Sequence, residues 1–342
     1  MPSWSDRYLA GTNSARLPYS VDALEAAGLS LEIPGLGSPT QPWAWRQLER
    51  RAGHPVEATL RAWRPAKSSD AVLALLEHEA QLALRMRHAG VGPFARIPLV
   101  VWSWAIGQQL RGATAEHREA IRRKYSAADL VTVMSRHEVG SLVEAGFDES
   151  RVFPVNFGVS HDYFTPTDEV RDIEVLAVGQ DHGRDYATLF DAVRETDLRV
   201  TLVCRPHNLQ GQRIPDNVEL LAPVPHNVYR DLLRRAQVLA VPTLDLSYPT
   251  GSSVALEGSS SGCCVVGTNT IAMSEYIDDG VNGTLLPVGD SSAWRETLLK
   301  LRADDAARAR LGSAARDNVI TRFNAEAMWL ELAQHMRSMG IV

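Results

Sequence analysis

Residues 248–258 read Tyr248-Pro249-Thr250-Gly251-Ser252-Ser253-Val254-Ala255-Leu256-Glu257-Gly258. An apolar, strand-like run, Val238-Leu239-Ala240-Val241-Pro242, ends shortly before them. A turn of small residues follows, and a helix is predicted to open at Ser252 and to carry a carboxylate, Glu257, in its second turn. A helix start without bulky side chains presents unpaired backbone N–H groups and the positive end of the helix dipole, which suits a phosphate or a sugar diphosphate. A carboxylate one turn further in can accept both hydrogen bonds of a vicinal diol such as a ribose. Together the two features point to a nucleotide. The competing reading is an ordinary capped helix with a solvated glutamate.

The pattern around this stretch is regular. Strands are expected at Ile173–Val178, Arg199–Cys204, Val218–Ala222, Val238–Val241, Cys264–Thr268 and Thr284–Pro287. Helices are expected at Tyr186–Val193, Asn227–Ala236, Ser252–Ser260, Ala293–Leu301, Ala306–Thr321 and Ala325–Met339. Continuous apolar strands alternating with helices predict a parallel sheet covered on both faces. The first half repeats the theme less regularly. Its expected strands are Leu29–Ile33, Val56–Ala62, Ala71–Leu75, Ile97–Trp102 and Leu130–Met134, and its expected helices are Val21–Ala27, Glu77–His88, Ala115–Lys124 and His137–Ala145. No strand is legible before Gly11. The turn-rich segment Asn156–Arg171 lies between two apolar strands and is the best linker candidate.

The chain has 342 residues, long enough for two domains. The first 150 residues carry a net charge of +1 and the remainder −7, which favours two domains with different partners. The overall charge of −6 argues against nucleic acid as a main partner. No apolar run approaches the ~18 residues of a membrane span, and the N-terminus lacks the layout of a signal peptide. The three cysteines, Cys204, Cys263 and Cys264, have no disulfide or metal spacing, so a reduced cytoplasmic setting is expected. A nicotinamide site is disfavoured by the absence of G-x-G-x-x-G with a following acidic residue.

In parallel α/β sheets ligands bind beyond the carboxyl ends of the strands. Beyond Ile173–Val178 comes Gly179-Gln180-Asp181-His182-Gly183-Arg184. Gly179 permits close approach, and Arg184 at a helix start can neutralise phosphate oxygens. The plainer reading of Arg184 is an ion pair with Asp181 or Asp185. This loop and the 250–257 turn leave strands of one sheet and can converge on one diphosphate.

From about Leu130 to Phe323 the chain resembles the GT-B fold, retaining glycosyltransferases of family 4, also called group 1. The segments that carry the resemblance occur in order. They are Val131–Ser135; Asn156-Phe157-Gly158-Val159 with Phe164; Val178-Gly179 through Ala192, with Arg184 where the family has lysine; and Leu239–Thr243. After these come Leu256-Glu257 with Gly262–Val266, and Glu275, Gly280, Asn282 and Gly283, which resemble "E-x-x-x-x-G-x-N-G". Residues 1–125 resemble the family in layout alone.

The resemblance implies two Rossmann-like parallel-sheet domains facing across a cleft. The acceptor-binding domain would take residues 1–157 plus 325–342, and the donor-binding domain residues 158–324. It implies a metal-independent transfer from a nucleoside-diphosphate sugar, UDP by default, to a hydroxylated acceptor, with no further cofactor. Glu257 would hold the ribose. The amides of Thr250, Gly251, Ser252 and Ser253, with Gly179, would hold sugar or phosphate. Arg184 would stabilise the leaving diphosphate, with Arg205 a weaker candidate.

Two positions depart from the family. Pro249 replaces the glutamate that usually precedes Glu257 by eight residues, with Asp245 a substitute carboxylate; Gln180 replaces an arginine. The first departure motivates an alternative, a non-catalytic partner subunit that binds nucleotide. A nucleotide-sugar epimerase is another.

In the first half, His78 follows an expected strand and is a candidate to assist a donor or acceptor hydroxyl, against the plainer reading of a surface residue. Trp102 and Trp104 are candidates for stacking on a sugar, against core packing. Arg46, Arg50, Arg51, Arg61, Arg64 and Lys67 form a basic stretch, read first as a solvated face and second as a weak peripheral membrane contact beside Trp43, Trp45 and Leu48.

Overall fold

The computed structural model describes residues 4–34, 43–209 and 211–342. The chain forms two compact units. One is Leu24–Asn156 with Trp329–Val342; the other is Phe157–Met328 with the described residues up to Ala23. The expected first domain began at residue 1. Instead the described residues up to Ala23 belong to the second unit, where Ser20 Oγ lies 2.9 Å from Ser160 Oγ. Of the expected domains, residues 1–3, 35–42 and 210 lie outside the described residues.

The first unit holds a four-stranded parallel sheet in the order β1 (Val72–Leu75), β2 (Leu99–Trp102), β3 (Leu130–Val133) and β4 (Val152–Pro154). β2 and β3 are buried along their whole length, which is why they read as unbroken apolar runs. Leu84, Phe94, Ile106, Ile121 and Leu142 pack against Leu99, Val101, Val131 and Val133 to make its core. The last helix, Ala325–Ser338, places Trp329 in this unit, fully buried with its ring 5.3 Å from that of Trp102. His335 stacks on Phe153 at 3.7 Å.

Two expected strands in this half are not strands. Residues 56–62 fold as the helix Glu57–Arg61. Its start is capped from a distance: Glu49 Oε1 accepts hydrogen bonds from Val56 N at 2.8 Å and Glu57 N at 3.0 Å. A carboxylate at a helix N-terminus satisfies orphan donors and meets the positive dipole end, and this outweighs the β-prone valine. Residues 29–33 have no strand pairing among the described residues. Leu29 N closes the preceding helix on Leu24 O, after Gly28 at φ +82°, and Ile33 is exposed just before Pro34. The helix expected at 77–88 starts only at Gln81, because Leu76 turns with φ +81° and the chain bends through 77–80.

The second unit holds six parallel strands. They are β5 (Ile173–Val178), β6 (Val200–Val203), β7 (Val218–Leu221), β8 (Ala236–Val241), β9 (Cys264–Thr268) and β10 (Thr284–Leu286), in the spatial order β10-β9-β8-β5-β6-β7. Counted within the unit this is the doubly wound order 3-2-1-4-5-6, whose direction reverses between β5 and β8. Val175, Ala177, Leu202, Val238, Ala240 and Val266 meet Leu189, Phe190, Val193, Trp294 and Leu298 of the covering helices.

Within this unit the segment after Asn156 is bound to the segment before the last helix. Val159 N donates to Phe323 O at 2.9 Å, and Ala325 N donates to Val159 O at 3.0 Å. Gly158 has no room for a Cβ, which would overlap Asn324 O. The three cysteines are free and buried. No helix among the described residues is long and apolar enough to cross a membrane.

Candidate functional site

The reversal of strand order leaves adjacent strands β5 and β8 with loops that turn apart from each other, which opens a crevice at their carboxyl ends. The two stretches singled out in the sequence are those loops. They are stitched together by the backbone: Arg184 forms an isolated bridge with Thr243, Leu244 N donates to Gly183 O at 2.8 Å, and Asp185 N donates to Pro242 O at 3.0 Å.

Arg184 is not a surface arm. Its side chain is 3% exposed. It lies against Gly179, where a Cβ would overlap the guanidinium, and against Gly251, where a Cβ would stand 2.5 Å from Nη1. These close approaches explain why both positions are glycine, and at Gly251 the φ of +84° adds a second reason. Nε pairs with Asp181 Oδ2 at 3.1 Å, while Nη1 is buried without a hydrogen-bond partner. Leaving a buried charged donor unmet costs about 1–3 kcal/mol or more.

Asp181 gave no separate signal in the sequence beyond pairing with Arg184. Its Oδ1 accepts from both Gly183 N and Thr250 Oγ1 at 2.8 Å, so it ties the loop after β5 to the turn after β8.

The helix Ser252–Ser260 follows Gly251 with no side-chain cap. The sequence reading offered the amides of Thr250 through Ser253 to a ligand, and the turn removes two of them. Thr250 N donates to Tyr248 O at 2.8 Å and Ser252 N to Pro249 O at 3.0 Å. No acceptor among the described residues takes the amides of Gly251, Ser253 and Val254. Thr250, Gly251 and Ser252 are buried and Ser253 is half-buried.

Glu257 is half-buried one turn on. The hydroxyl of Tyr229, from the helix His226–Arg235, donates to its Oε2 at 2.7 Å. Burial pushes the Glu257 carboxyl up to about 7, against the Tyr229 hydrogen bond and the Arg184 charge, which pull it down. Tyr229 itself is buried and its phenol is raised well above its ordinary value, chiefly by that burial. Sequence inspection missed Tyr229, since a tyrosine on a helix face reads as core.

Gly179, Arg184, Thr250, Gly251, Ser252, Ser253 and Glu257 are therefore brought together at one end of one sheet. Arg205, Asp245 and Gln180 are exposed loop residues, while Pro249 is buried. Asn282 is also buried: its Oδ1 accepts from Asp278 N at 2.8 Å, so the "E-x-x-x-x-G-x-N-G" match builds a turn.

His78 belongs to the first unit and is not part of this cluster. It is exposed in the turn after β1, with Nε2 3.5 Å from Glu79 Oε1. Glu77 Oε2 accepts from Ser103 Oγ at 3.3 Å and Trp104 N at 3.1 Å, tying the ends of β1 and β2 together. Trp102 is fully buried core and is not placed to stack on a ligand; Trp104 is half-buried against it.

Comparison with known proteins places this geometry. Residues 177–304 match the family model described as Glycosyl transferases group 1. D-inositol 3-phosphate glycosyltransferase of Corynebacterium kroppenstedtii is 32% identical over 119 residues, covering 35% of this chain and 25% of that protein. The enzyme of the same name from Corynebacterium urealyticum is 25% identical over 266 residues, covering 66% of this chain and 61% of that one. The first curated relatives are thus matched over about a quarter of their own length.

Among solved structures, Anabaena HepE in complex with UDP-glucose superposes with a TM-score of 0.67 at 16% identity, over 87% of this chain and 90% of that one. Sucrose-phosphate synthase from Thermosynechococcus elongatus superposes with a TM-score of 0.69 at 17% identity, over 89% and 82%. At such identities the likeness speaks for the fold. The chain thus has the GT-B fold, and residues 177–304 of its second unit are similar in sequence to the group 1 glycosyl transferases.

Proposed function

We propose that this protein is a retaining glycosyltransferase that moves a sugar from a nucleoside-diphosphate sugar, a UDP-sugar by default, to a hydroxyl of a small-molecule, lipid or glycan acceptor. The observation that carries this reading is the buried, incompletely paired Arg184 beside an uncapped helix start, with Glu257 one turn away. HepE bound to UDP or UDP-glucose, on the same fold, supports the choice of donor. The second unit takes the donor and the first takes the acceptor, where exposed His78 is available to a hydroxyl.

Breaking the anomeric bond leaves negative charge on the diphosphate. The amides of Ser253 and Val254, the helix dipole and the Arg184 charge behind the turn are fixed before that charge develops, which is the arrangement that lowers a barrier. Glu257 accepts hydrogen bonds from the ribose diol. The positive charge this chemistry needs is supplied by the chain itself, so no metal or other cofactor enters the proposal.

The test is turnover of UDP-sugars by purified protein. Arg184→Ala should lower kcat/KM by roughly two or more orders of magnitude while UDP affinity falls far less, and wild-type activity should persist in a chelator. Near-normal turnover by the variant would move leaving-group stabilisation elsewhere, with Arg205 next; loss of activity in chelator, restored by Mg²⁺ or Mn²⁺, would refute the metal-free mechanism.

Pro249, standing where the family carries a glutamate, favours a second reading: a non-catalytic subunit. Tight UDP binding with no turnover of any sugar donor would support it.

A further inference from the structure

The carboxylate of Glu257 is not free to turn toward a ligand with both oxygens. Oε2 is taken by the Tyr229 hydroxyl at 2.7 Å, and no side chain among the described residues takes Oε1. Tyr229 is itself held by packing on several sides. It is buried, its ring lies 6.0 Å from His226 and 6.1 Å from Phe164, and its helix packs on the one that carries Glu257. We propose that Tyr229 is a positioning residue for nucleotide binding: its hydroxyl fixes the rotation of the Glu257 carboxylate, holds it ionised, and presents Oε1 as the acceptor for the ribose diol.

The proposal rests on Glu257 being the ribose ligand. A hydrogen bond from a diol to a carboxylate is charge-assisted, and protonation of Glu257 weakens it. Affinity should therefore follow the ionisation of this one group.

The surroundings leave that titration isolated. Arg184, from the loop after β5, is the cation whose charge pulls the Glu257 carboxyl down. Tyr229, Tyr163 and the Cys263 thiol near Tyr229 are all raised by burial above their ordinary alkaline values. His226 is held down at about 4, by burial and by Arg230 and Arg7. Between about pH 5.5 and 8.5 none of these neighbours changes charge, while Glu257, with its carboxyl at about 7, does.

The experiment is calorimetric titration with UDP across that pH range for the wild type, Tyr229→Phe, Glu257→Gln, and protein carrying 3,5-difluorotyrosine at position 229. Glu257→Gln supplies the background from ionisation of UDP itself. After its subtraction, wild-type affinity should rise with pH through a midpoint near 7. Tyr229→Phe should move that midpoint up by about one pH unit, so that affinity at pH 7 falls several-fold and recovers by pH 8.5. Difluorotyrosine, a stronger donor of the same shape, should move it down; it preserves the packing if the phenylalanine variant folds poorly.

Coincident midpoints, or a loss in Tyr229→Phe by the same factor at every pH, would overturn the role of Tyr229 while leaving Glu257 on the ribose. If Glu257→Gln binds UDP like the wild type at every pH, Glu257 does not hold the ribose, and the proposal falls with it.

Discussion

Glu257, the proposed ribose ligand, is held at a cost to the fold. Its folded-state carboxyl is raised to about 7 from an ordinary 4.5, first because burial removes water from the charged form. The sign follows from linkage. A raised carboxyl contributes stability that is complete below about pH 4.5 and is lost as pH rises through 7. In the ligand-free protein at pH 8 the penalty is at most about 3 kcal/mol. Glu257→Gln should therefore raise the thermal midpoint of the ligand-free protein at pH 8 and change it little at pH 5. A stabilisation that is equal at both pH values would show that the carboxylate carries no such penalty. Arg184 shows the same economy: its charge is kept buried with Nη1 unmet, and Asp181 answers only part of it.

At the scale of elements, the helix Trp43–Ala52 stands out in the first unit. It buries none of its residues. Trp43 is 69% exposed and Leu48 46%, on a helix that also exposes Arg46, Arg50 and Arg51. Glu49 is the one acid on it, and its carboxylate is engaged in capping the next helix. A basic helix with exposed aromatic and aliphatic groups suits weak adsorption to anionic lipid, each cation contributing about 1 kcal/mol near a charged surface. Sedimentation with phosphatidylglycerol vesicles should show salt-sensitive binding that is reduced at least several-fold in Arg46→Glu/Arg50→Glu. Equal recovery with neutral phosphatidylcholine vesicles would leave this helix a solvated face.

At the scale of the molecule, the first unit is assembled from two stretches far apart in sequence, Leu24–Asn156 and Trp329–Val342. Trp329 is a fully buried contact that helps join them, against Trp102 of β2. Trp329→Ala should cost about 3–5 kcal/mol, the range for deleting a buried aromatic. The loss should appear as faster amide exchange in β2 and β3, with β5 and β8 protected as before. Faster exchange confined to β5 and β8 would contradict this assembly.

The six strands of the second unit, and the two loops that meet at the carboxyl ends of β5 and β8, were legible in order. Strands buried on both faces read as unbroken apolar runs, and turns packed against an arginine need glycine, as at Gly179 and Gly251. These are local demands, met by neighbours in the chain.

What could not be read depended on groups that meet only after folding. Residues 56–62 look like a strand until Glu49 caps them as a helix. The described residues up to Ala23 look like the start of the first unit until Ser20 meets Ser160. Arg184 looks like a surface arm until two glycines let it be buried, and Tyr229 looks like core until its hydroxyl reaches Glu257. In each case a single polar group chooses between alternatives of similar local energy, and its partner is supplied by another part of the fold.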